Sequence, residues 1–206
     1  MNGKKNRYLV FACLQLLSIC TYAQRRKKTK IIWNKDSVLN WADFKVVNHE
    51  PTGINVGGFV TIIAAITSTQ IYCIPGNCVN DSVPITCYCI FDKGSSWAIK
   101  VDETPTSLVH EQKHFDITEI YTRRLRKALI NKKFRYNHFY GQFRRIYDKT
   151  LKDWNKEEGI YDKETDFQNN IEQQKLWDIK IADELKALDA YSDIHLTVRL
   201  RHFLFF

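Results

Sequence analysis

The sequence predicts an α+β domain: an antiparallel sheet packed on one long helix, with two further helices closing the other side. Three observations carry that expectation. The first half of the chain holds short β-branched and alternating runs cut by turn residues, and the second half holds three long helical stretches. The composition, 44% hydrophobic and 26% charged over 206 positions, is that of a folded domain. Only four prolines and eight glycines are present, with no fixed-period repeat, which argues against a tandem array or a long flexible linker.

The N-terminal segment stands apart from that domain. Lys4, Lys5 and Arg7 precede an apolar run from Tyr8 to Ile19, and Thr21-Tyr22-Ala23 supplies small residues at the positions a signal peptidase inspects. Residues 1–23 are therefore expected to be a secretory signal, and the protein to be secreted or periplasmic. The run is too short for a transmembrane helix, which needs roughly 20 apolar residues, so no stable membrane anchor is expected. Cys20 offers a lipoprotein alternative, against which the bulky Ile19 stands. Residues 24–30 form a basic arm and residues 31–206 a single domain. From Ile31 onward bases and acids cancel at 23 each, so the basic character resides in the leader and the arm and does not point to nucleic acid.

Cys73, Cys78, Cys87 and Cys89 are the cysteines that remain after the signal. An even number clustered in an exported chain predicts disulfides, with three connectivities open. Their spacing does not match the paired knuckles of a structural zinc site.

In chain order, Gly58 to Thr67, Gln70 to Cys73, Ile85 to Phe91 and Ser96 to Val101 are expected strands, and the pair Trp41 and Phe44 is expected in the core. Thr104-Pro105 is a helix start, a capping hydroxyl followed by proline at the first helical position, and the helix runs to about Asn131. A second helix is expected from Phe134 to Trp154, ended by Gly159. A third runs from Asn170 to Tyr191 with an apolar stripe of Leu176, Trp177, Ile181, Leu185 and Leu188. The alternating tail from Ile194 reads either as a late strand or as a loosely packed end. Charge is polarised along these segments: residues 123–152 hold eleven Lys or Arg against Asp148 alone, and residues 157–193 hold eleven Asp or Glu. Mutual pairing of two opposite faces is the expected outcome.

Inside the first helix lies His110-Glu111-Gln112-Lys113-His114. Residues four apart on a helix lie about 40° apart around its axis, so both imidazoles reach one metal ion from one face. Glu111 sits beside that face, where a carboxylate takes a proton from the attacking water and hands it to the leaving amine. The same face continues as Ile117, Tyr121, Leu125 and Ala128, which carries the histidines toward the core.

The longer run HEQKHFDITE, followed by Ile120-Tyr121-Thr122-Arg123-Arg124-Leu125, resembles the signature of a bacterial family of predicted secreted zinc-dependent proteases, catalogued as a domain of unknown function. Leu39 to Phe44 resembles its N-terminal LxWxDF element, and Tyr161 to Thr165 with Gln174 and Trp177 its C-terminal YDxET…Q…W element. Val46 stands where relatives often have Gly, and Phe167 where some carry His. The resemblance implies a zincin-like fold, a zinc cofactor and a peptide or protein substrate in the cell envelope.

A catalytic zinc needs a third protein ligand and an open position. Glu119, nine residues from His110, falls on the opposite side of the helix, and Asp116 is off the metal face. The YDxET segment is expected at a loop after two helices and offers Asp162, Glu164 and Asp166, with Asp162 favoured; His138 is an outside candidate. Tyr161 is a candidate to polarise a substrate carbonyl, or an aromatic packing the loop onto the core. The expected function is a zinc-dependent metalloprotease. A non-catalytic metal-binding envelope module and a zinc amidohydrolase acting on a non-peptide amide are the alternatives. An edge strand such as Ser96 to Val101 is expected to hold an extended peptide beside the metal.

Overall fold

The structure, a computed structural model, describes residues 29–48, 63–73, 81–100 and 103–201. The signal over residues 1–23, most of the basic arm and Cys78 lie outside the described residues. The architecture is α+β with three helices, as expected, but the sheets are mixed rather than purely antiparallel.

The strands are β1 (Lys30–Ile32), β2 (Lys45–Val47), β3 (Ile63–Ala64), β4 (Thr67–Cys73), β5 (Ser82–Asp92), β6 (Trp97–Ile99), β7 (Phe134–Arg135) and β8 (His195–Arg201). The helices are α1 (Pro105–Asn131), α2 (Phe139–Glu164) and α3 (Ile171–Ala187). The long strand β5 organises the main sheet. One of its edges pairs antiparallel with β4 over Ile85 to Phe91. Because β8 pairs with Ser82 to Thr86 and β1 with Ile90 to Asp92, these two share the opposite edge. The tail thus resolves as a strand, with Leu196, Val198 and Leu200 buried between exposed neighbours. Beyond it β7 runs parallel to β8.

The second sheet is small, in the order β2-β6-β3, with β2 parallel to β6. The segment expected as an edge strand for a peptide, Ser96 to Val101, is therefore corrected: β6 is the middle strand, and both of its edges are taken. A strand's neighbours are set by long-range pairing, which its own alternation does not encode.

Helix α1 is the spine. Thr104 caps it, its side chain accepting from Ser107 N (3.0 Å), with Pro105 in the first turn. Fifteen of its 27 residues are buried, so it is enclosed rather than laid on a surface. Three apolar clusters meet it. Its C-terminal half packs Leu125 and Leu129 against Val83, Ile85, Val198 and Phe134. Its start places Phe115 with Leu39, Phe44 and Phe91, which puts Phe44 in the core and Trp41 against it. Its remaining face packs Ile117, Ile120 and Tyr121 on Tyr161, Trp177 and Ile181 of α2 and α3.

Two helix boundaries differ from expectation. Phe134 belongs to β7, because its ring is fully buried beside Leu200 and the chain at Lys132 turns extended. Helix α2 does not end at Gly159 but continues to Glu164. A mid-helix glycine costs about 1 kcal/mol, and the packing of Tyr161 between α1 and α3 outweighs it. In α3 the stripe is narrower than expected: Trp177, Ile181 and Leu188 are buried, whereas Leu176 is 58% exposed. The basic and acidic segments meet at Arg124 with Glu184 (2.5 Å), whereas Lys180 pairs with Glu157 (2.6 Å) inside the acidic segment and Arg144 and Lys149 pair within α2.

Cys87 and Cys89 are free thiols buried under α1, which corrects the expectation that every cysteine of the cluster is bridged. Two residues apart on a strand, their Cα atoms are about 7 Å apart, too far for a bridge between them. Burial pushes the Cys87 thiol from 9.0 up to about 12 and holds Cys89 well above its ordinary range. The Cys73 side chain and Cys78 lie outside the described residues.

Candidate metal centre

The centre is built where the first turns of α1 meet the last turns of α2. On α1, His110 and His114 stand one turn apart with their rings 4.8 Å apart and nearly perpendicular. Asp162 comes from α2, whose end is held by a Schellman closure: Phe167 N donates to Asp162 O (2.9 Å), and Asp166 takes the left-handed conformation (φ 49°). The Thr165 hydroxyl donates to Tyr161 O (2.7 Å), tightening the same turn.

Three ligand atoms converge. Asp162 Oδ1 lies 3.3 Å from His110 Nε2 and 3.0 Å from His114 Nε2, and the two Nε2 atoms are 3.2 Å apart. A tetrahedral ion with bonds of 2.0–2.1 Å holds its ligand atoms about 3.3 Å apart, so the triangle already has the size a small transition-metal ion requires. Calcium and magnesium prefer shells of oxygen, and calcium sits at longer distances. His110, His114 and Asp162 could thus hold a metal ion.

The outer nitrogens decide which lone pairs are available. His110 Nδ1 faces Gln174 Oε1 (3.3 Å), and His114 Nδ1 is tightly bonded to a carboxylate oxygen of Glu158. Both partners are acceptors, so each Nδ1 carries a proton and each Nε2 is the atom that presents a lone pair to the centre once its own proton leaves. These partners are themselves anchored. Trp154 Nε1 donates to Glu158 Oε1 (2.7 Å), and Gln174 Nε2 donates to Asp178 Oδ1 (2.9 Å).

Tyr161 holds the assembly from beneath. It is fully buried, its ring stacks on His110 at 4.5 Å, and its hydroxyl donates to Gln174 Oε1 (2.8 Å) and lies 3.2 Å from His110 O. Burial keeps that hydroxyl protonated to far above its ordinary range. The role of polarising a substrate carbonyl, one of the two sequence expectations, is not what this geometry favours: the hydroxyl is spent inside the protein.

Glu111 is buried beside the two histidines, and its Oε2 accepts from Ala65 N (3.1 Å) between β3 and β4. Burial raises its pKa, the His114 and His110 charges pull it back, and Asp162 adds to the rise. Burial lowers the proton affinity of His114, but Glu158 and Asp162 outweigh it, so that the ring holds a proton well above its usual range. Burial also opposes the Asp162 carboxylate, yet the hydrogen bonds of His110 and His114 hold its pKa well below that range. The centre therefore favours positive charge at the point the three ligand atoms surround. It is also reachable, since the side chain of Asp162 is 32% exposed.

The other candidates serve elsewhere. Asp116 accepts from Trp33 Nε1 (2.9 Å) and Gln112 Nε2 (3.1 Å), tying β1 to α1. Gln112 also accepts from Leu39 N (2.8 Å), where the LxWxDF element docks, and within that element Asn40 and Asp43 form a capping box. Glu119 lies in a buried ion network with Arg123 and Arg126. Glu164 accepts from Trp177 Nε1 (2.9 Å), Asp166 closes the end of α2, and His138 is exposed at the start of α2. Sequence reasoning missed Glu158. Its signal was present, for it precedes Asp162 by one turn, but ending the helix at Gly159 hid the shared face. No family model, no curated protein and no solved structure matches the chain.

Proposed function

We propose that the protein is a zinc-dependent peptidase of the exported family whose signature it resembles, with a zincin-like catalytic domain. The observation that carries the reading is the convergence of three lone pairs, from His110, His114 and Asp162, beside a buried carboxylate that is not one of them. Two imidazoles and one carboxylate are the donor set of catalytic zinc sites with a fourth position open. A zinc ion held there supplies Lewis acidity, polarising a carbonyl and acidifying a water.

The protein's own groups do the rest. Glu111 takes the proton of the attacking water and delivers it to the amine that leaves as the C–N bond breaks. The Ala65 amide fixes one of its oxygens, so the other is the one free to shuttle the proton. Glu158 and Gln174 orient the two imidazoles, and Tyr161 prevents His110 from turning.

The test is stoichiometry followed by cleavage. Purified protein should carry close to one zinc per chain by elemental analysis, and His110→Ala or His114→Ala should lose it. A broad peptide-library digest should show cleavage by the wild type and none by chelated protein or by Glu111→Gln, which keeps its zinc. Full metal retention by both histidine variants would sink the centre. Equal rescue of a deletion strain by Glu111→Gln would favour the non-catalytic envelope module, wild-type cleavage by that variant would remove Glu111 from the general-base role, and turnover of non-peptide amides alone would favour the amidohydrolase.

A further inference from the structure

A cleft opens one helical turn beyond His114, between β4, α1 and α2. Its residue names are mixed, but its threonine hydroxyls are already spent. The Thr118 hydroxyl donates to His114 O (2.9 Å) and accepts from Thr67. The Thr69 hydroxyl bonds to Thr122 (2.6 Å), and that of Thr150 donates to Ile146 O (2.9 Å). Ser68 Oγ accepts from Gln70 Nε2 (3.0 Å), and Trp154 Nε1 is committed to Glu158. What these groups offer the cleft is carbon, added to Leu125, Leu151 and the rings of Tyr121 and Tyr147. No charged residue lines it among the described residues.

Position links the cleft to the centre by two routes. Thr118 is bonded to the carbonyl of His114, and Trp154 reaches His114 through Glu158. One helical turn is about 5.4 Å, the span of one to two residues of an extended peptide at about 3.3 Å each. Strand β4, which supplies Ser68 and Thr69, pairs with β5 alone among the described residues, so a peptide there would run beside the strand that starts next to Glu111. The cleft offers about 60 Å³ of room to water-sized groups. At about 10–15 Å³ for each such group, it takes four to six, which suits a leucine, isoleucine or methionine side chain and not an indole.

Resting on the peptidase reading, we infer that this cleft is the specificity pocket: it seats an aliphatic side chain of the substrate one or two residues from the bond that is cut. A charged side chain would lose its hydration there without gaining a partner.

The test has a binding arm and a cleavage arm. In zinc-loaded, ¹⁵N-labelled protein, N-acetyl-leucine amide should shift the Trp154 Nε1–H and the Ser68 and Thr118 amide signals, and N-acetyl-glycine amide and N-acetyl-lysine amide should not. Thr150→Phe, which fills the cleft, should weaken the leucine probe by roughly tenfold or more. Leu151→Ala, at a partly exposed site that tolerates change, should widen the cleft and admit N-acetyl-phenylalanine amide. In the digest, wild-type cuts should cluster beside Leu, Ile and Met, and Leu151→Ala should move them toward Phe. Leucine-probe shifts with a silent digest would keep the apolar site and overturn the peptidase reading. Cleavage indifferent to the neighbouring side chain, with no leucine-probe shifts in the cleft, would overturn the pocket and leave the peptidase standing.

Discussion

Helix α1 carries two buried polar clusters, and they are built on opposite plans. In its second half, Glu119 accepts from Arg123 Nε (2.9 Å) and Arg126 Nη2 (2.5 Å). Other guanidinium nitrogens donate to Leu185 O (2.8 Å), near the C-terminal end of α3 where helix carbonyls carry partial negative charge, to Ser192 O (2.7 Å) and to Thr122 O (3.4 Å). Cations face acceptors throughout, and Arg126 is completely enclosed. In the first half, His110, His114 and Asp162 aim lone pairs at one point, and every outer partner is another acceptor. The second-half cluster pairs its own cations with an anion; the first-half cluster brings together three groups that could hold a metal ion. Buried polarity alone therefore does not mark a functional site. What separates the two clusters is the convergence of three ligating atoms on one point.

The sharpest way to break this contrast is to make one change in each cluster and read both activity and stability. Glu111→Gln should lower kcat/KM by about 10²–10⁴-fold, the usual scale of a lost general base, while zinc content and Tm stay at wild-type values. Arg126→Met should do the reverse, costing about 3–5 kcal/mol in denaturant unfolding because it leaves Glu119 buried with one cation fewer. Its zinc per chain should be unchanged. Loss of zinc in Arg126→Met with unaltered stability would merge the two clusters into one.

A smaller effect sharpens the comparison within the metal centre. Glu158→Gln keeps the shape of the side chain but exchanges an anionic acceptor for an amide against His114 Nδ1. Competition with a chromogenic chelator should show zinc affinity reduced about 10–100-fold, the range for partners of metal-bound histidines. An unchanged affinity would remove Glu158 from the centre.

The smallest effect concerns the two thiols beneath α1. Because burial raises Cys87 from 9.0 to about 12, native Cys87 and Cys89 should resist alkylation at pH 8 until the protein unfolds. The sign of the linkage follows: the neutral thiol is favoured in the folded state, so its contribution is complete below about pH 9 and is lost as the pH rises toward 12. Rapid labelling of both residues in native protein would contradict their placement.

The site was more legible in the sequence than the sheet. HExxH on a capped helix places two imidazoles on one face by helical period alone, and Thr104-Pro105 marks where that helix begins. Asp162 is the favoured of three acids in one segment, but Glu158 stays hidden as long as Gly159 reads as a stop. Local propensity carries that reading, and it cannot register the burial of Tyr161, which takes α2 on past Gly159 to Glu164. Likewise the number and clustering of the cysteines predict bridges without saying which, whereas Cys87 and Cys89 are free thiols buried in the core.

By itself the sequence determined what depends on neighbours in the chain: the α+β composition, the capped helix, and the histidine pair with its adjacent glutamate. The tertiary structure alone decided what depends on distant residues meeting. That includes the shared edge of β5, the enclosure of β6, the choice of Asp162 over Glu164 and Asp166, and the Glu158 and Gln174 bonds that turn both lone pairs inward. The physical reason is range. Helical period and capping act over four residues, but the direction of a lone pair is set by whatever packs on the far side of the ring, here 44 and 64 residues away.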